Sequence, residues 1–368
     1  MLHLIPHEVQ MWRDLTEKAR TGLLAPDDGL LSARPALRPA FRFHAAASCA
    51  AAGDLIAAQA WLAAGALEEK ENMACAYLAG FLKRHGALTM PTIVFQDPRP
   101  YIHFTTVPAI IEMRKQFRTF AAKTLPTYEQ PLRFMDIGCG NGTMGIELLQ
   151  HLIQQGVVSS LAEIILVDPF PAMLAAAKQA AHDAFPDLPV TLIHGRSEDL
   201  AATLPDAVDL TLCSLSIHHM PWEQKTSLAH NLALRSRDIL LFELHGDHDT
   251  PELGAPELSL SVYQSYGGMI DAIFAHDAPV GDALACVDLF LLAEVVSLLT
   301  QARGMRTEYH MPPQQWRTLF ETHARSALAG MEICLAGGDF ELFGQHYRKQ
   351  PATMASPAWY KASTSITV

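Results

Sequence analysis

Arg133-Phe134-Met135-Asp136-Ile137-Gly138-Cys139-Gly140-Asn141-Gly142 is the stretch that decides the fold. Its opening residues are mostly apolar, as a buried strand requires. The glycines at alternate positions then permit a tight turn, and a helix-periodic run follows from about Thr143 to Gln155. A strand, a glycine turn and a helix in that order let backbone approach a ligand and aim helix-end N–H groups at its anionic atoms. The glycines alone leave nicotinamide and flavin cofactors open. Asp136 narrows the choice, because a carboxylate ahead of the turn repels a pyrophosphate and suits the ammonium of an amino-acid-like cofactor.

Downstream, apolar runs alternate with helical ones. Glu163–Val167, Val190–Ile193, Val208–Cys213 and Ile239–Glu243 read as strands, with a helix from about Pro171 to Ala184. This alternation predicts an α/β fold with a doubly wound, mostly parallel sheet covered by helices on both faces. The pattern breaks between about 244 and 303, which reads as an inserted helical lid with helices around Leu260–Phe274 and Val287–Leu299. A helix over Pro313–Ala327 follows. Met331–Leu335 and Phe340–Tyr347, flanking Gly337-Gly338, then read as an antiparallel hairpin that ends the sheet. The domain is expected to span 126–368, with a loose tail beyond about Gln350.

Residues 1–125 read as a separate helical domain. Ala45–Ala52, Leu55–Leu67 and Met73–His85 are apolar and poor in β-branched residues, Gly86 stops the third run, and Pro108–Ala122 is a further helix. Thr92–Phe95 and Tyr101–Phe104, around Asp97-Pro98-Arg99-Pro100, read as short strands. Together these elements suggest either a winged-helix-like module or a plain helical cap.

The chain has 368 residues, 49% of them hydrophobic and 18% charged, so a large core is available and a disordered chain is excluded. Its net charge of −12 argues against a nucleic-acid backbone binder. Cys49, Cys75, Cys139, Cys213, Cys286 and Cys334 lie far apart, which reads as reduced thiols in a cytoplasmic protein. No signal peptide is expected from the N-terminal residues, and the apolar stretches read as too short or too interrupted to span a bilayer.

Three weaker signals follow the glycine turn in order. Val167-Asp168-Pro169 ends the second strand, where a carboxylate can accept ribose hydroxyls. Gly195-Arg196-Ser197-Glu198-Asp199 follows the third strand and could frame an adenine. The fourth strand runs through Cys213-Ser214-Leu215-Ser216-Ile217 into His218-His219. Taken together, the sequence resembles the class I S-adenosylmethionine-dependent methyltransferases over about 131–243, with a return at about 305–348. The resemblance implies a Rossmann-like fold and S-adenosylmethionine as cofactor. It implies contacts from Asp136, Gly138, Gly140, Asn141, Asp168, Pro169, Ser197 and Glu198, with Ser214 near the sulfonium. Arg196 departs from the pattern, since many members have Asp there. No Asn/Asp-Pro-Pro-Tyr/Phe motif follows strand four, which argues against base or glutamine methylation. For Asp136 and Asp168 the plain alternative is a helix-capping role.

His218 and His219 could be a general base, a metal ligand or packed loop residues. His219, Glu243 and His276 fall at strand ends or in the lid, and two histidines with a carboxylate would make a facial site for a divalent or ferric ion. Segments 261–279 and 306–311 resemble natural-product methyltransferases that act on α-keto acids, the 2-ketoarginine type among them. That resemblance implies methylation of a small molecule at a β-carbon. Two alternatives stand beside it: cyclisation of the cofactor to azetidine-2-carboxylate with release of methylthioadenosine, and a non-catalytic winged-helix regulator. The expected partners are a small-molecule substrate and a second copy in a homodimer, without nucleic acid or membrane.

Overall fold

Strands β1 (Leu132–Ile137), β2 (Leu161–Asp168), β3 (Val190–His194), β4 (Val208–Ser214), β5 (Ser236–Leu244), β6 (Leu328–Ala336) and β7 (Glu341–Lys349) form one sheet in the computed structural model. The order is β3-β2-β1-β4-β5-β7-β6. The first five strands pair in parallel, while β7 lies antiparallel between β5 and β6. The structure describes residues 2–28, 30, 33–70, 72–90, 99–200, 203–277, 279–323, 328–336 and 340–349. Thr92–Phe95, the Gly337-Gly338 turn and the C-terminal tail lie outside the described residues.

Helices α1 (Pro6–Arg20), α2 (Arg38–Ala51), α3 (Leu55–Glu68), α4 (Ala74–His85), α5 (Arg99–Thr106) and α6 (Pro108–Thr124) precede the sheet. Asp54 caps α3 by accepting from the Ala57 amide at 2.9 Å, and Gly86, with φ of 71°, ends α4 in a left-handed turn. Tyr101–Phe104, read from sequence as half of a wing, is helical. Pro100 fits the first turn of α5, and burial of Pro100, His103 and Phe104 outweighs the weak strand signal.

Between the strands run α7 (Thr143–Gln154), α8 (Pro171–Ala184), the short α9 (Ser197–Leu200) and α10 (Trp222–Arg235). After β5 come α11 (Pro256–Phe274), α12 (Asp282–Cys286), α13 (Leu292–Thr300) and α14 (Pro313–Thr318). The 244–303 segment, expected as a helical insertion, packs against the N-terminal helices. His44 Nδ1 and the Ser259 hydroxyl lie 2.8 Å apart, Tyr77 donates to Asp271 at 2.5 Å, and Arg84 grips Asp288 at 2.5 Å. Phe43 meets Tyr263 edge-on at 5.7 Å. The apolar surface of α2 is thereby covered within the chain.

A π-helical turn, Val287–Leu291, joins α12 to α13. The resulting helix, Asp282–Thr300, is long and apolar enough to cross a membrane by length and composition, contrary to the sequence reading. Its most apolar window, with mean hydropathy 2.1, is 72% buried within the fold. That is the behaviour of a core helix.

Candidate active site

The glycine turn sits where sequence placed it, at the carboxyl end of β1. Gly138, Gly140 and Gly142 all have positive φ (64°, 53° and 78°), which side-chain-bearing residues rarely adopt. The turn is held down by Val167, whose carbonyl accepts from the amides of Gly138 (2.8 Å) and Cys139 (3.0 Å). Asp168 ends β2 with both carboxylate oxygens engaged, one by the Gly140 amide at 2.9 Å and the other by the Phe170 amide at 2.8 Å. It therefore shapes the turn as well as facing it.

Asp136 is 2% exposed, and its Oδ1 has no hydrogen-bond partner. A Cβ on Gly145 would fall 2.4 Å from its Oδ2, so the glycine in α7 makes room for the carboxylate. Burial and the Asp168 charge push its pKa up to about 8, with Arg114 working in the opposite direction. Arg114, on α6, is itself buried, with Nε unpartnered. Tyr101, on α5, leans on the turn, its hydroxyl 2.9 Å from where a Gly140 Cβ would stand. The N-terminal helices thus bring a cation and a phenol to a cradle formed by the sheet.

The other expected contacts are near but differently employed. Asn141 Oδ1 accepts from the Thr143 amide at 3.3 Å, and the Pro169 carbonyl lies 3.0 Å from His194 Nε2. Ser197 and Glu198 open α9, with Glu198 tied to Arg196 at 2.6 Å. Ser214 closes β4.

After β4 the chain turns sharply, with Leu215 at φ 48°, an uncommon value for a residue with a side chain. Ser216 then donates to the Ile137 carbonyl at 2.7 Å and its amide donates to Glu243 at 3.2 Å, which aims the next turn, Ile217–His219, at β5. His218 Nδ1 lies 2.7 Å from Glu243, and its Nε2 lies 3.1 Å from Glu308. Burial alone would lower its pKa, but those two carboxylates overcome it and raise it to about 10, so His218 is a cation. His219 Nδ1 lies 3.1 Å from both Glu308 and the Thr307 carbonyl. Two acceptors at one nitrogen place a proton on Nδ1.

His310 stacks on His218 with ring centres 4.0 Å apart, and its Nε2 lies 3.3 Å from the Tyr266 hydroxyl. Burial and the neighbouring cations, His218 first, hold it well below the ordinary histidine range, so it is neutral. Tyr266 donates to Glu294 at 2.9 Å. Burial and the Glu308 charge raise Glu294 well above the ordinary carboxylate range, so it keeps its proton. The cluster holds Glu243, Glu294 and Glu308, each at most 5% exposed, and balances them largely with protons.

Of the expected metal set, His219 and Glu243 lie in this cluster but His276 does not. Its ring stacks on His103 of α5 at 5.8 Å. Among the described residues, the groups with donor atoms within 4.8 Å of one another are His218/Glu243/His310, His218/His219/Glu308 and Glu294/Glu308/His310. His276 follows α11, whose Tyr266 reaches the cluster while His276 itself packs on His103 of α5.

Residues 134–235 match the methyltransferase domain family model. Over those residues the chain carries a methyltransferase domain. Over 133 residues it is 27% identical to the probable S-adenosylmethionine-dependent methyltransferase CRG1 of Saccharomyces cerevisiae; that is 36% of this chain and 41% of the yeast protein. The chain thus spans about two fifths of the length of this relative. Among solved structures, the citrinin polyketide synthase CMeT domain aligns with a TM-score of 0.43 at 15% identity, over 80% of this chain and 70% of that one. A putative O-methyltransferase from Nostoc punctiforme aligns at 0.42 and 15%, over 67% and 59%.

The cradle suits an amino-acid-like cofactor. The unpartnered Asp136 oxygen, on a carboxyl that keeps its proton until a cation arrives, and the unpartnered nitrogen of the Arg114 cation face the two ends of a methionine zwitterion. Sequence reasoning missed Arg114 and Tyr101 at the cradle and Glu294 and Glu308 in the cluster. A sequence signal existed for Glu308, which sits two residues before His310 in the 306–311 segment.

Proposed function

We propose that the methyltransferase acts on a small molecule, with His219 as the base that takes the acceptor's proton. The observation that carries this is the fixed tautomer of His219, set by Glu308 and Thr307 on one side while the ring remains 34% exposed. Burial raises the Asp168 pKa, and the Phe170 and Gly140 amides work against it. S-adenosylmethionine supplies an activated methyl group and its own leaving group. Asp136 and Arg114 would hold its methionine end, Asp168 its ribose, and Ser197 or Glu198 the adenine edge, with Ser214 beside the sulfonium. Glu308 steadies the imidazolium formed at His219 when the proton arrives.

The acceptor class we favour is an α-keto acid whose enol carbon attacks the methyl group, as the resemblance of segments 261–279 and 306–311 suggests, within natural-product biosynthesis. Removing a β-proton from such an acid is the task a His–Glu pair next to the methyl group would perform. Product analysis by mass spectrometry with labelled cofactor and a panel of α-keto acids tests this. Methylthioadenosine and azetidine-2-carboxylate as products would replace methyl transfer by cofactor cyclisation, and no turnover with any acid would remove the α-keto acid reading.

A metal-assisted version has its own support in the proton-balanced carboxylates. His218, Glu243 and His310, or Glu294, Glu308 and His310, offer the nitrogen and oxygen donors that divalent or ferric ions take. An ion held there would polarise a keto-acid carbonyl. Metal analysis of protein as purified, and turnover after chelation, separate this version from the metal-free one. The enzyme is proposed to work in the cytoplasm as a homodimer of the N-terminal helices, where Ile56 and Leu67 of α3 stand 86% and 87% exposed. Light scattering that finds a monomer at micromolar concentration would exclude the dimer.

A further inference from the structure

Lys225 is a buried cation that neither the cofactor cradle nor the proposed base uses. It lies in the second turn of α10, shortly after His219, and is 1% exposed. Its ammonium donates to Asp249 at 3.1 Å and to the Tyr309 carbonyl, and it stands 4.9 Å over the Trp316 ring. Burying an ammonium is costly unless each proton finds a partner, and here those contacts supply them. Burial pulls its pKa down to about 8, against which Asp249 works.

The contacts join three segments that carry the histidine–carboxylate cluster. Tyr309 sits between Glu308 and His310, and its amide donates to the His218 carbonyl at 2.7 Å. Asp249 follows His248, and both their amides donate to the His310 carbonyl, at 3.2 and 2.9 Å. Arg303 holds Asp249 from the far side at 2.7 Å. These segments come from distant parts of the chain and lack a strand ladder of their own to fix their register.

We infer that Lys225 is a positioning residue, the tie that sets the spacing of Glu308 and His310 against His218 and His219. The inference rests on the reading of this cluster as the base site, but it can be tested without turnover. The probe is the full-length protein labelled with nitrogen-15 in histidine, observed through the imidazole N–H signals that His218 shares with Glu243 and Glu308. Lys225→Met keeps the length of the side chain and leaves Asp249 paired with Arg303. It should shift or abolish the His218 signals while S-adenosylmethionine affinity stays at the wild-type value, even though the thermal midpoint falls because a buried pair is broken. On an acceptor found by the panel above, turnover should fall about 100-fold, the cost of a small misplacement at a reacting centre.

Unchanged signals in Lys225→Met overturn the inference. So does their loss together with cofactor affinity, which would make Lys225 a general structural residue. Should Lys225→Met fail to fold, Asp249→Asn cuts the same tie and is held to the same outcomes. A fully active His219→Ala would remove the base reading yet leave the signals of Lys225→Met to decide positioning on their own.

Discussion

Strand β5 buries a carboxylate near each end, and the two have opposite surroundings. At the amino end, Asp238 accepts from Tyr128 at 2.8 Å and pairs with His346 at 2.8 Å, while Arg348 approaches to 3.5 Å. Its neighbours come from the linker and from β7, so the group ties the entry of the domain to the last strand. At the carboxyl end, Glu243 shares His218 with Glu308, and Glu294 lies close by, with no Lys or Arg paired to any of the three among the described residues. One group is neutralised by fixed cationic and phenolic partners; the other relies on protons that can leave. The fold uses the first for stability and keeps the second poised for chemistry, at the strand ends where open α/β sheets bind ligands.

The largest expected effect is at the poised end. Glu308→Ala frees His219 from its fixed tautomer and removes one of the two anions that keep His218 charged. Turnover should drop about 100- to 10,000-fold, the usual range for losing general acid–base assistance. Stability should also change its pH dependence. The His218 pKa is raised to about 10 in the fold, so its contribution is complete below the ordinary histidine value and is lost as pH climbs through about 10. In Glu308→Ala that loss should begin at lower pH, as thermal melts between pH 6 and 10 would show. A variant with wild-type kinetics would place the chemistry elsewhere.

How much of this contrast could be read in the sequence follows from chain distance. Asp136, the glycines and Asp168 were legible because strand, turn and helix lie within one short window, so local pattern fixes their place. His218 and His219 were legible as a pair at a strand end, but their partners were not. Glu308 arrives from 89 residues away, through an irregular segment with no periodicity to place it. Asp238 and His346 were unremarkable strand residues until the antiparallel register of β5 and β7 joined them. The His276 expectation failed for the same reason: its location depended on how α11 packs, which tertiary contacts decide.

At the saturated end the expectation is reversed. Asp238→Ala leaves His346 and Tyr128 buried without their acceptor and should cost about 3–5 kcal/mol, the range for breaking a buried pair. Denaturant melts measure this, and at temperatures where the variant stays folded its cofactor affinity should match wild type. Turnover lost without stability lost would collapse the distinction between the two ends.

Asp136 extends the comparison to the cradle, as a carboxylate left unsatisfied for a ligand. Its pKa near 8 in the fold lies above the ordinary carboxylate value, so the folded state holds a proton that the unfolded chain has released. Stability of the cofactor-free protein should therefore fall as pH rises toward 8, and Asp136→Asn should remove that decline. The same variant should bind S-adenosylmethionine about 1–3 kcal/mol more weakly, the cost of losing a charged acceptor. Calorimetry at pH 7 in buffers of different ionisation heat should show a proton released on binding to wild type and none from this site in the variant.

The smallest effect is expected inside the poised cluster itself and bears on what it holds. Glu294 keeps its proton because burial and the Glu308 charge both oppose ionisation. Gln has nearly the same shape, and its amide oxygen can still accept from Tyr266. Without a bound ion, then, Glu294→Gln exchanges one neutral acceptor for another. Stability and turnover should move by less than about 1 kcal/mol, the net worth of a single hydrogen bond. An ion in the Glu294, Glu308 and His310 group would change that outcome, since a carboxamide is a much weaker ligand than a carboxylate. Metal content and turnover would then fall together in Glu294→Gln, and the variant that ought to be nearly silent would mark where the ion sits.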